Sequence, residues 1–259
     1  MLAQRIEEVS LNAWPALQQM LFDGWILRFS KGYTKRANSV NPLFGSTMDV
    51  DQKVDACQTL YAERGLQPIF RLTPFSSPPD LDQVLESHDY AKTDPTLVLH
   101  LDLQDLDTRP ALSIDLRDEP LDAWLGIFCR FKGAPVEKHR AHREILQAIP
   151  ARRFPASLVE ASRPVACGLG VLENEYFGLF DVVTDPQRRR QGYGRQLVAS
   201  LVQWAQEHGA RHAYLQVEST NEAARRLYAG FGFQEIYRYW YRIASVETCQ
   251  VGMVLAGKT

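Results

Sequence analysis

The chain has 259 residues, with 29 Lys and Arg against 31 Asp and Glu, a formal net charge of −2, 45% hydrophobic residues and 23% charged residues. This balance is that of a soluble globular protein, and it excludes a disordered chain, a collagen-like or mucin-like repeat and a basic nucleic-acid tail. The length holds one large domain or two modest ones.

From the N-terminus, Met1–Leu21 mixes polar and apolar residues, with no basic segment ahead of an apolar run, so no signal peptide is expected. No apolar stretch approaches the roughly 20 residues of a membrane span, and the expected location is the cytoplasm. Periodicity and punctuation predict a helix over Arg5–Ala13, ended by Pro15, and strands over Trp25–Phe29 and Ala37–Val40. A helix over Val50–Arg64 closes at Gly65, followed by a strand at Pro68–Leu72, a helix at Leu81–Ser87 and an alternating strand at Leu97–Leu103. Gln104–Pro110 reads as a linker.

The second half restarts with a strand at Leu112–Leu116 and helices at Leu121–Phe131 and Val136–Ile149. Three strands follow: Ser157–Ala161, Val165–Leu172 and Tyr176–Val183. The strongest helix, Gln191–Glu207, carries Leu197, Val198, Leu201, Val202 and Ala205 at helical spacing, a stripe that faces a core. A strand at His212–Val217, a helix at Glu222–Ala229 and strands at Phe233–Ile243 and Gln250–Leu255 complete the chain. Both halves run strand–strand–helix–strand–helix–strand, which suggests a diverged internal repeat. The expectation is an α+β fold of two halves, residues 1–105 and 111–259, each a twisted mixed β-sheet flanked by helices.

Cys57, Cys129, Cys167 and Cys249 are far apart and form no Cys-x-x-Cys. They read as free thiols in a reducing compartment, with neither a disulfide framework nor zinc spacing. His139 and His142 stand one helical turn apart, but no carboxylate or cysteine completes a ligand set in sequence. Their surroundings read as a polar helix face, and no metal is expected.

The sharpest local feature is Arg188-Arg189-Arg190-Gln191-Gly192-Tyr193-Gly194-Arg195, which follows an apolar strand and opens the longest helix. A helix N-terminus carries unpaired N–H groups and partial positive charge. Glycines admit a bulky anion close to the backbone, and arginines add charge-assisted hydrogen bonds. Together these parts suit a pyrophosphate. A plain turn with a solvated basic face shares the local pattern. The Gly-Lys-Ser/Thr of a P-loop is missing, and Leu197 stands where a dinucleotide fingerprint has its third glycine.

Arg189-x-x-Gly192-x-Gly194 resembles the coenzyme loop of the GNAT superfamily of N-acetyltransferases. The entry Val182-Val183-Thr184-Asp185-Pro186 is similar to that family's. So is the downstream run from Leu215-Gln216-Val217-Glu218 through Asn221 and an Ala-rich helix to Leu227-Tyr228 and Gly230-Phe231-Gly232-Phe233. The resemblance is good over about Leu112–Leu255. The first half resembles only the degenerate copy of tandem members. Its Asn41-Pro42-Leu43-Phe44-Gly45-Ser46 lacks the arginine and paired glycines, so no coenzyme is expected there.

The resemblance implies acetyl-coenzyme A as co-substrate, without a metal. Val182, Val183 and Thr184 would pair with the pantetheine arm where the strand splays from its neighbour. Arg189, Arg190, Gln191, Gly192, Tyr193 and Gly194 would wrap the pyrophosphate, Asn221 would touch the arm, and Tyr228 would sit near the sulfur. Acetyl transfer needs a neutral amine about 3–3.5 Å from the thioester carbon, a donor for the developing oxyanion and a proton for the leaving thiolate. A backbone N–H at Val182 or Val183 is the candidate oxyanion donor, and Tyr228 is the candidate acid. Some members carry a basic Glu where this chain has Gln216, which cannot take a proton. Glu218 and Asp181 remain as candidate bases, either direct or through water.

Acceptor contacts are sought on Leu121–Phe131, Val136–Ile149 and the aromatic run Tyr237, Tyr239, Trp240 and Tyr241, with Trp25, Arg28, Tyr33 and Arg36 from the first half. Simple strand alternation also explains the tyrosine run. The expected activity moves an acetyl group to a primary amine of a small molecule or peptide by direct attack in a ternary complex. A non-catalytic acyl-coenzyme A sensor is the alternative, as is an acyltransferase with another donor or nucleophile. No nucleic-acid or membrane partner is expected, and a homodimer is compatible with the sequence.

Overall fold

A computed structural model describes residues 1–104 and 115–244. In chain order the elements are α1 (Leu2–Ala13), β1 (Gln18–Phe22), β2 (Trp25–Phe29), β3 (Val40–Asn41), α2 (Val50–Ala62), β4 (Ile69–Leu72), α3 (Leu81–Ser87) and β5 (Tyr90–Asp102). Then come β6 (Asp115–Asp118), α4 (Leu121–Lys132), α5 (Arg140–Gln147), β7 (Arg152–Glu160), β8 (Arg163–Glu173) and β9 (Tyr176–Thr184). The series ends with α6 (Tyr193–Glu207), β10 (His212–Glu218), α7 (Glu222–Ala229) and β11 (Gln234–Ala244). The expected strand at Gln250–Leu255, Cys249 and most of the expected linker lie outside the described residues.

Three expectations are corrected. The strand β1 was not expected, because its residues are mostly exposed and show no apolar alternation. It is set by its partner, pairing Gln18↔Phe29 through Phe22↔Trp25 across Asp23-Gly24. Both turn residues have positive φ, 41° and 86°, as a two-residue hairpin turn requires. The strand expected at Ala37–Val40 shrinks to Val40–Asn41 behind a 3-10 turn at Lys35–Ala37. The helix expected over Val136–Ile149 breaks into a 3-10 turn, Val136–His139, and α5.

The chain divides into two compact units that trade terminal segments. One holds Met1–Pro15 with Leu97–Ile236; the other holds Ala16–Thr96 with the chain from Tyr237 onward. The division therefore does not follow a single cut between 105 and 111. The physical reason is burial. The α1 side chains Ile6, Val9 and Ala13 are buried, as is Trp14 just beyond the helix, and that helix packs on β8 and β9. Likewise β11 finds its antiparallel partner in β4, with Trp240↔Leu72 through Ile243↔Ile69.

In the first unit the strands run β5-β10-β9-β8-β7-β6. The pairs β6–β7, β7–β8 and β8–β9 are antiparallel, and β9–β10 is parallel with α6 as the crossover. The α6 stripe Leu197, Val198, Leu201, Val202 and Ala205 is fully buried in the core with Phe154, Leu158 and Phe177. Each large apolar side chain contributes about 1.5–3 kcal/mol by leaving water.

In the second unit the order is β1-β2-β3-β4-β11. Here β3 and β4 are the parallel pair, Val40↔Phe70, with α2 as the crossover. Its core gathers Trp25, Leu27, Val54, Tyr61, Phe70 and Leu85. Each unit thus has a mixed sheet with one parallel pair joined by a helical crossover, β9–α6–β10 in one and β3–α2–β4 in the other, followed by a short helix, α7 or α3.

Candidate active site

Midway along its run the strand β9 parts from β10 and shifts register against β8. Pairing with β10 extends from His212↔Tyr176 to Leu215↔Leu179 and stops there, so Phe180–Thr184 runs on without that partner. On the other side, the β8 register shifts between Cys167↔Val183 and Leu169↔Phe180. One residue of β8, Gly168, thus faces two of β9, a β-bulge that bends the strand. Asp181 takes the strain with φ 49°.

The Asp185 N–H donates to Val165 O at 2.9 Å. Alternation along an antiparallel strand then turns the Val183 amide group to β8, and those of Val182 and Thr184 to the edge that β10 has left. Of the two candidate oxyanion donors, the geometry supports Val182.

The lack of a side chain at Gly168 lets α6 and Val182 pack closely at the bulge. A Cβ there would stand 3.2 Å from Leu201 Cδ1 and 3.4 Å from both Leu197 Cδ2 and Val182 Cγ2. The Trp124 indole N–H donates to its carbonyl at 3.0 Å, anchoring α4 at the same point.

The expected phosphate loop closes the strand. The Asp185 carboxylate accepts from Gln187 N at 2.9 Å and starts a 3-10 turn, Pro186–Arg188. Arg190 and then Gly192 adopt positive φ, 59° and 88°. Gly192 is the N-cap of α6 and supplies no side-chain hydrogen bond to the helix start. Among the described residues, nothing lies within 4 Å of where its Cβ would be. A Cβ on Gly194 would come within 3.3 Å of Thr184 Oγ1, so this second glycine lets the first helical turn approach the strand end.

The basic cluster is less uniform than its sequence. Arg188 is turned aside: it pairs with Glu160 and donates to Tyr193 Oη at 2.6 Å, while Tyr193 donates to Glu160 Oε1 at 2.7 Å. The Tyr193 hydrogen bond, with the nearby Glu160 charge, raises the already high pKa of that guanidinium. Tyr193 therefore offers an anion its backbone rather than its buried side chain. Arg195 lies over the Phe231 ring at 4.9 Å. Arg189, Arg190 and Gln191 are exposed, and among the described residues neither Arg189 nor Arg190 is in an ion pair.

Beyond β10, Asn221 caps α7, its side-chain oxygen accepting from Ala224 N at 3.1 Å. That oxygen is engaged, so contact with a ligand is left to its amide N–H₂. Tyr228, the next-to-last residue of α7, is buried edge-to-face against Phe233 with ring centroids 5.7 Å apart. Its hydroxyl has no hydrogen-bond partner among the described residues. Burial pushes the phenol up to about 12, so at neutral pH it holds its proton and can donate it. Glu218 ends β10 and is exposed.

Asp181 is engaged in a contact the sequence did not reveal. Its Oδ2 accepts from His142 Nε2 at 2.9 Å. His142 is fully buried, which corrects its reading as part of a polar helix face. Spacing alone held the signal: His142, Ile145, Leu146 and Ile149 recur at i, i+3, i+4 and i+7, and all four are buried.

The imidazole sits among Trp14 at 5.4 Å, Phe128 at 5.2 Å, His139 at 5.6 Å and Trp124 at 6.3 Å between centroids. Trp14 also stacks on Phe180 at 5.8 Å. His139 is shifted down, first by burial and then by His142. Among the described residues no three His, Cys, Asp or Glu side chains gather as a metal site.

The acceptor-side residues divide differently. Trp25 is a core residue of its unit, donating from Nε1 to Ser77 O at 2.9 Å with Lys53 Nζ over its ring at 4.0 Å. Arg28 is buried and donates to Arg36 O at 2.9 Å. Tyr237, Tyr239 and Tyr241 are all buried, while half-buried Trp240 bonds Asp82 Oδ1 at 2.8 Å, as strand alternation anticipates.

A family model described as "Probable histone acetyltransferase Rv0428c C-terminal" matches residues 3–242. The chain belongs to this family of GNAT-type N-acetyltransferases. A relative described as an uncharacterized N-acetyltransferase, YobR of Bacillus subtilis (strain 168), is 29% identical over 247 residues, covering 93% of this chain and 98% of its own. A GCN5-related N-acetyltransferase from Kribbella flavida superposes with a TM-score of 0.71 at 17% identity, over 93% of this chain and 95% of that one. A tandem GNAT protein of the clavulanic acid biosynthesis pathway gives a TM-score of 0.59 at 13% identity, over 74% and 68%. The GNAT resemblance and the mixed α/β architecture are thus borne out, and the protein is an acetyltransferase.

Proposed function

We propose that the protein transfers the acetyl group of acetyl-coenzyme A to a primary amine of a small molecule or peptide, by direct attack in a ternary complex. The observation that carries this reading is the opening of β9 from β10 after Leu179↔Leu215, immediately ahead of a helix whose start no side chain caps. The unpaired edge at Val182 and Thr184 suits the amide-bearing pantetheine arm. The α6 start, with exposed Arg189, Arg190 and Gln191 and the space above Gly192, suits a pyrophosphate. The coenzyme supplies an activated thioester carbonyl.

The chain's own groups then have these roles. The Val182 N–H is the oxyanion donor, a type of contact worth roughly 10²–10³ in rate. Tyr228 holds a proton for the departing thiolate. Asp181 or Glu218 takes the proton of the amine, and Asp181 has the better support, being partly buried beside the bulge. The Asn221 amide contacts the coenzyme arm.

The unit that begins at Ala16 is the degenerate partner and takes no coenzyme. A cytoplasmic location fits the free, buried Cys57, Cys129 and Cys167. The family description makes a lysine peptide of histone type the first acceptor to try. Acetyl-coenzyme A is mixed with that peptide, an Ala-initiated peptide, an aminoglycoside and spermidine. Free thiol is then measured and the product weighed by mass spectrometry. Acetylation of any of these supports the reading; tight coenzyme binding with no thiol release from any amine points to a sensor.

A further inference from the structure

The strand alternation of β9 would place Phe180 and Asp181 on opposite faces of the sheet. The bulge cancels one step. Phe180 stacks on Trp14, Trp14 lies against His142, and Asp181 bonds the same His142. Asp181 thus meets this imidazole, carried by α5, directly, and Phe180 lies toward it through Trp14. Val182 lies on the other side, against Gly168 and near the α6 leucines.

Two features set Asp181 apart from an ordinary strand-end carboxylate. Its backbone is fixed in the left-handed region, and one of its oxygens is held by a histidine with no exposure while the carboxylate itself keeps 21%. The imidazole is packed by the aromatic rings of Trp14, just after α1, and of Trp124 and Phe128 on α4, so it has little freedom to turn. A hydrogen bond from a rigid, buried donor orients a carboxylate far better than solvent does. The other titratable groups around the pair are His139, Cys129, Arg130 and Lys132 on the helical side and Cys167 on β8.

We propose that His142 is a positioning residue for amine deprotonation: its Nε2–H clamps Asp181 Oδ2, so that Oδ1 is presented at the opening between β9 and β10, where the acceptor nitrogen arrives. The proposal rests on the acetyltransferase reading above and selects Asp181 over Glu218 as the base. The proton passes from the amine to Asp181 Oδ1, directly or through one water, and His142 keeps its own proton throughout. A carboxylate displaced by about 1 Å costs on the order of 10²-fold in rate, which sets the size of effect to seek.

The test compares His142→Gln, His142→Leu and His142→Asn with Asp181→Asn and the double variant His142→Leu/Asp181→Asn. All are assayed with acetyl-coenzyme A and the four-amine pool, and coenzyme affinity is measured separately. A Gln amide nitrogen can reach where Nε2 stands, whereas the Asn amide is too short. The expected result has several parts. His142→Leu and His142→Asn lose about 10–100-fold in kcat with coenzyme Kd unchanged, and His142→Gln stays within about threefold of wild type. The double variant is no worse than Asp181→Asn alone.

Equal losses in the Gln and Asn variants, or losses that multiply in the double variant, overturn the proposal and leave the acetyltransferase reading standing. Should His142→Leu fail to fold, the Gln–Asn contrast decides. A wild-type protein that acetylates none of the pool overturns the proposal together with that reading.

Discussion

The two units carry the same strand–helix–strand crossover, and they finish its helix start in opposite ways. At α2, Asp49 is the N-cap and accepts from Asp51 N at 3.1 Å and Gln52 N at 3.2 Å. The Asp23 carboxylate accepts from Thr47 N and Met48 N at 3.0 Å and 2.9 Å. Lys53, fully buried, pairs with Asp23 from within. The chain's own carboxylates thus occupy the place where an anion would bind. At α6 the N-cap is Gly192, no side chain caps the helix, and two arginines are unpaired among the described residues. The shared plan fixes where a helix dipole points; loop chemistry decides whether its positive end is filled internally or left for a ligand.

This contrast can be broken in four places. The largest effect concerns chemistry. The α3 segment, which holds the place of α7 in the plan, contains no tyrosine, so the acid should belong to one unit alone. Tyr228→Phe should lower kcat by about 10²-fold with little change in coenzyme Kd. Because burial raises this phenol to about 12, the wild-type pH–rate profile should show no falling limb from it until close to that pH. An unchanged kcat would remove Tyr228 from the reaction.

Next is the helix start itself. Gly192→Val forces a β-branched residue to positive φ and closes the space above the backbone, so coenzyme Kd should rise about tenfold or more by calorimetry. The matching Gly45→Val, at a glycine of ordinary φ in the other loop, should leave Kd unaltered. If the two variants weaken binding alike, the coenzyme is not held where we place it.

A smaller effect is expected from uncapping α2. Asp49→Ala should cost about 1 kcal/mol of stability in denaturant titration, without creating a second coenzyme site. A binding stoichiometry that rises from one to two would show that only the caps kept the units apart.

The smallest effect is in pH. Backbone and side-chain hydrogen bonds from Met48 and Thr47 hold the Asp23 carboxyl far below the ordinary range. A depressed carboxyl contributes stability above its unfolded value, about 4, and loses that contribution as pH falls below it. The denaturation midpoint of the wild type should therefore fall between pH 5 and pH 3, and Asp23→Asn should flatten part of that fall. Identical slopes would mean that Asp23 does not anchor the loop.

How much could be read in advance depended on how local each determinant was. The α6 stripe, the Leu81–Ser87 and Glu222–Ala229 helices and the Gly192-x-Gly194 turn rest on spacing within one element, and the structure has them where periodicity put them. The strand β1 depends on a partner strand, and its Asp23-Gly24 turn is recognised only once that pairing is seen. His142 was visible as a position on an apolar stripe, yet its partner Asp181 is 39 residues away.

The sequence by itself set the α+β class and, through its resemblance to a known loop, marked a candidate coenzyme site. Those properties follow from composition, from periodicity and from a short motif whose glycines and arginines act over a few residues. Tertiary structure alone decided that α1 joins the unit of the second half while β11 joins β4, because burial is indifferent to chain order. It also decided which face Asp181 presents. A bulge opposite Gly168 removes one step of strand alternation, and a one-residue shift in a period of two reverses every inference drawn from that alternation.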